Sequence, residues 1–144
     1  MKLRLFFLAT LFIIGVWVAV GAQTTADSVV VAAVAPVYPA IAATAHAVGD
    51  VTVDVKISAS GTVTSARAVE GHVLLKAAGV SAAHRWKFAP AKESTTERTA
   101  RLTFTFLETD QNVPDDERTA VFLPPYTVQI TVPKRGVIQT NNVH

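Results

Sequence analysis

The chain has no cysteine and a single methionine. No disulfide, thiolate zinc site, cysteine nucleophile or lipoprotein anchor can therefore be built. An oxidising compartment is compatible with that composition. Charge is sparse, at 17% of residues against 50% hydrophobic, which marks a globular rather than a disordered chain. A basic surplus is almost lacking. Lys2 and Arg4 sit at the extreme N-terminus, and without them eleven basic side chains face eleven acidic ones. That balance argues against nucleic acid as a partner. Gly-rich phosphate loops and paired carboxylates on one element are also missing, and the four histidines show no ligand spacing. No Ser–His–Asp pattern is present. The chain is thus expected to be no enzyme, with no metal and no cofactor.

Its 144 residues allow one domain. The N-terminus, "MKLRLFFLATLFIIGVWVAVGA", has two cations, then an apolar run from Leu5 to Val20, then small residues. This is the layout of a secretory signal peptide, with cleavage between Ala22 and Gln23. The run is also about as long as the shortest membrane-spanning helices, roughly 17 residues, so a retained anchor is the alternative. Either way the rest is expected in the periplasm, soluble after cleavage or tethered to the inner membrane. Residues 23–35 read as a linker.

Pro36 and Pro39 set an extended approach to a short helix over about 39–46. In "DVTVDVKIS" (50–58), Val51, Val53, Val55 and Ile57 share one face, the pattern of a half-buried strand. "ASG" forms a hairpin loop, and 62–70 a second strand whose imperfect alternation predicts a bulge. The period then turns helical over 72–86, with Leu75, Ala78, Ala82 and Trp86 on one stripe. Gly79 is a weak point in that helix, at about 1 kcal/mol relative to Ala. Pro90 ends the segment. A third strand, 99–107, turns Ala100, Leu102, Phe104 and Phe106 inward and Arg101, Thr103 and Thr105 outward. In the extension 108–144, "YTVQITVP" (126–133) alternates as a further strand, placed at an edge by its flanking prolines.

These elements predict a small two-layer α+β domain. Its sheet is three-stranded and antiparallel, in the order 2-1-3, with one main helix, a short N-terminal helix and an optional extra strand from the tail. The stretch "HRWKFAPA" (84–91) crowds aromatic and basic residues together. Helical period places Trp86 in the core, with Arg85 and Lys87 on a solvated face.

"PVYP" (36–39), "GDVTVDVKISASGTVTSARAVEG" (49–71), Leu75, Ala78, Ala82, "WKFAPA" (86–91) and "ARLTFTF" (100–106) follow one another at spacings that resemble the C-terminal domain of TonB, the energy-coupling protein of Gram-negative bacteria. The resemblance covers 36–107. It implies a periplasmic domain that grips an outer-membrane transporter or other envelope protein by adding a partner strand to the edge of 99–107. It also implies partner contacts at Tyr38, Pro39 and Ala43, in the Tyr-Pro region, and at Arg101, Thr103 and Thr105. A retained N-terminus would add an inner-membrane proton-channel complex as partner. Three features depart from the family pattern: the linker is short and free of proline, residues 1–22 contain no histidine, and Ala43 stands where some members have glutamine. These departures weigh against energy transduction. The second reading is an assembly module whose 99–107 edge is capped by its own tail, or by the tail of a second chain in a homodimer.

Overall fold

The structure, a computed structural model, describes residues 28–91, 97–110 and 119–134. The Ala22–Gln23 junction lies outside them. The alternating Val-rich stretch forms β2 (Gly49–Ile57), whose Val51, Val53, Val55 and Ile57 are all buried. It lies between β3 (Val63–Glu70) and β5 (Arg98–Thr109), antiparallel to both. The β2–β3 ladder shifts register between Thr52 and Val53 and again between Lys56 and Ile57, which accounts for the uneven alternation of β3.

The expected three-stranded antiparallel sheet is corrected here. The main sheet has five strands and is mixed, in the order β3-β2-β5-β7-β6. From the tail, β6 (Thr119–Leu123) and β7 (Thr127–Pro133) form an antiparallel hairpin. The slot beside β5 is filled by β7, which runs parallel to it over Thr103–Thr109. The tail strand is therefore interior, not an edge. Its prolines do not forbid this. Pro133 occupies the last ladder position, and Pro124–Pro125, joined by a cis bond, lie in the turn. No proline removes an amide from the middle of the ladder. A second, two-stranded sheet pairs β1 (Val30–Ala32), within the stretch read as linker, with β4 (Lys87–Phe88).

The described residues form two helices, α1 (Ala40–Thr44) and α2 (Val73–His84). His72 caps α2, its Nδ1 accepting the Leu74 amide at 3.2 Å. Leu75, Gly79, Ala82 and Ala83 are buried against the sheet. Gly79 is no simple weak point. An added Cβ there would lie 3.0 Å from Val51 Cγ1 and 3.3 Å from Phe104 Cδ2, so the missing side chain lets the helix lie close. Gly61, at φ +87°, closes the β2–β3 turn against β4, where a Cβ would collide with the Phe88 carbonyl.

Trp86 follows α2 and is fully buried. Its Nε1 donates to the Val34 carbonyl at 2.9 Å. Phe104 and Phe122 meet it edge-on, at centroid distances of 6.0 and 5.9 Å, and Phe88 tilts against it at 6.1 Å. Edge-to-face contacts of this kind add to the burial of the rings. The Trp86→Ala variant should lose about 3–5 kcal/mol of folding stability, as large-to-small core changes do. Equilibrium denaturation checks this, and a loss under about 1 kcal/mol would show that the side chain does not carry the core.

Candidate functional site: the edge of β5 and its cover

The outer edge of β5 is the candidate site, and alternation builds it. Ala100, Leu102, Phe104 and Phe106 point into the core and are buried, which leaves Arg101, Thr103 and Thr105 on the open face. Arg101 grips Asp54 of β2 through two bonds, Nε at 2.6 Å and Nη2 at 2.9 Å. This hydrogen bond, then the Arg101 charge, holds the Asp54 carboxyl below the ordinary carboxylate range, although burial opposes the shift. The Thr105 hydroxyl donates to Asp50 at 2.7 Å. Of the three expected contact residues, Thr103 and Thr105 are thus cross-strand partners of both β2 and β7, and Arg101 of β2. A depression of about 520 Å³ lies over this face, lined by Asp54, Lys56, Arg67, Val69, Thr99 and Arg101 among others.

Access to that edge is not free. Thr103 pairs with Thr127, Thr105 with Gln129 and Leu107 with Thr131. The Thr103 amide donates to the Tyr126 carbonyl at 3.0 Å. On the core side Val128, Ile130 and Val132 are buried, so the tail contributes apolar area as well as ladder bonds. The first residues of β5, Arg98–Leu102, run past the end of β7. There Arg98 Nη2 donates to the Ala89 carbonyl at 2.8 Å.

The other three expected residues sit apart, at α1. Tyr38 is buried, its ring 5.7 Å from Phe106 and its hydroxyl donating to the Ala47 carbonyl at 2.7 Å. Burial, and secondarily the nearby Glu108 charge, push its pKa up. Pro39 is the N-cap of α1, its carbonyl accepting the Ala43 amide at 3.0 Å. Ala43 is half-buried. These residues seat the helix, and beside them Val37, just ahead of α1, and Ile41 within it are exposed. Sequence reading missed these two exposed apolar side chains, and it also missed β6 with Phe122. In "TAVFL" no polar alternation announces a strand, although a β-rich run ahead of Pro-Pro was the available signal.

Among the described residues, no cluster of three or more His, Asp or Glu side chains could hold a metal ion. No helix among them is long and apolar enough to cross a membrane. Comparison with known families matches residues 34–107 to the family described as Gram-negative bacterial TonB protein C-terminal. A comparison with curated proteins returns no match.

One pH dependence follows from the Asp54 carboxyl. Its folded-state pKa is lowered, so its stabilising contribution is present above the ordinary carboxylate value of about 3.9 and is lost as pH falls through the lowered one. The pair is exposed, so Asp54→Asn should cost under about 1 kcal/mol at pH 7. The difference from the parent should shrink as pH falls below the ordinary carboxylate value of about 3.9 and through the lowered folded-state one. Paired denaturation curves at pH 7 and through the acid range check it, and a cost that does not change with pH would refute the ionic reading.

Proposed function

Because the chain belongs to the TonB C-terminal family, a non-enzymatic, transport-associated periplasmic domain family of Gram-negative bacteria, we propose that it is an envelope-protein binding module held in a self-capped state. An extended segment of an outer-membrane transporter or other envelope protein adds to the edge of β5, and it does so by displacing β7. The parallel ladder between β7 and Thr103–Thr109 carries this reading. Backbone bonds in such a ladder are interchangeable between chains, while alternate side chains select the occupant. Val128, Ile130 and Val132 define what a replacement must supply: apolar groups at every second position, facing Phe104 and Phe106. Polar Thr127, Gln129 and Thr131 fill the positions between. The competing reading keeps the hairpin in place permanently, as part of a stand-alone assembly module. It is favoured by the same ladder and by the grip of Phe122 on Trp86.

A staple separates the two. The chain has no native cysteine, so Leu107→Cys with Thr131→Cys places one thiol on each of two paired, outward-facing positions of β5 and β7. Under exchange, plug-start peptides from transporters shift the amide resonances of β5 in the reduced protein and not in the oxidised one. If neither state shifts at millimolar peptide, the edge is permanently capped. If both shift equally, binding does not use this edge.

A further inference from the structure

The two ends of the sheet carry opposite charge. At the end where β4 and the β2–β3 turn meet, Lys56, Arg85, Lys87 and Arg98 stand against a single described carboxylate, Glu97. The far end carries Asp50, Glu70, Glu108 and Asp110, opposed by Lys76 and Lys134. Both ends also expose apolar side chains. Val29 and Val31 of the β1 arm are 64% and 67% exposed at the basic end, and Ile41 of α1 is 65% exposed at the acidic end.

The chain reaches the domain at the basic end. Ser28 is 2% exposed, and it is clamped there by Tyr126, whose hydroxyl accepts the Ser28 amide and donates to the Ser28 carbonyl, both at 3.0 Å. Only residues 21–27 separate Ser28 from the apolar run that ends at Val20. Fully stretched, those seven residues span at most about 25 Å. With the run in a bilayer, the clamped end stays beside the membrane. Charge then decides the orientation, because anionic headgroups attract the β1–β4 end and repel the α1 end.

We propose that the β1–β4 end of the domain rests on an anionic bilayer surface. Val29 and Val31 enter the headgroup layer while Arg85 and Lys87 engage lipid phosphates. The stretch "HRWKFAPA" then serves two purposes: Trp86 and Phe88 pack inward, and the two cations between and beside them face the lipid. The proposal stands apart from strand exchange at β5, since neither β5 nor β7 takes part.

The test uses the full chain in vesicles of zwitterionic lipid alone or mixed with phosphatidylglycerol. Single-cysteine variants Val31→Cys and Ile41→Cys carry a fluorophore, and a quencher sits on the lipid headgroups. Both sites are exposed, so an unchanged denaturation midpoint serves as the folding control. The expected result is quenching severalfold stronger at position 31 than at 41 in the anionic vesicles. The excess should fall in high salt and in Arg85→Gln/Lys87→Gln. Equal quenching at both positions, quenching at neither, or a difference indifferent to lipid charge overturns the proposal.

Discussion

Everything else in this fold leans on Trp86. Its ring is fully buried and edge-packed by Phe104 of the central sheet and by Phe122 of the tail hairpin. Its indole N–H is fixed by Val34 of the N-terminal arm. One side chain thus ties together segments from residue 34 to residue 122. A small domain has little apolar area to spend, and this hub joins the arm and the hairpin to a core they could otherwise leave. It also explains why residues outside the matched stretch 34–107, notably the β6–β7 hairpin, fold as part of the same unit.

The hairpin changes what the β5 edge can do. An exposed strand edge is a template for any extended chain, and here the protein fills most of it with its own β7. On the proposed strand-exchange reading, affinity for a partner becomes a difference between two ladders rather than the strength of one. The bonds lost to β7 and the burial of Val128, Ile130 and Val132 would set the threshold such a partner must exceed. The exposed edge of the sheet moves outward to β6, which carries Val121, Phe122 and Leu123 partly exposed and no charge.

Reach is the second constraint. The stretch read as linker is partly absorbed into β1 and into the Val34–Trp86 bond, and only residues 21–27 separate Ser28 from the apolar run. Were that run held in a membrane, so short a connection would keep the domain beside it, and a partner would have to come to the domain. This geometry agrees with the lack of a proline-rich spacer and with the charge polarity that sets how the domain would lie near a surface.

The sequence by itself determined the local elements. Alternation in "VTVDVKI" and "ARLTFTF" specified two strands and their buried faces, because a period of two leaves one choice of side. The 3.6 period put Leu75, Ala82 and Trp86 inward, and the family was legible in the order and spacing of these pieces. Only the tertiary structure decided the partner of the β5 edge. Strand neighbours are chosen by long-range packing, and nothing within "TVQITVP" states whether it lies inside a sheet or at its rim. The same holds for Tyr38, which reads as a contact residue beside Pro39 but is drawn inward by Phe106 and the Ala47 carbonyl. Gly79 reads as a weak point in the helix until Val51 and Phe104 are seen to crowd the space a side chain would need. Periodicity fixes which way a residue faces, and only the fold supplies what it meets there.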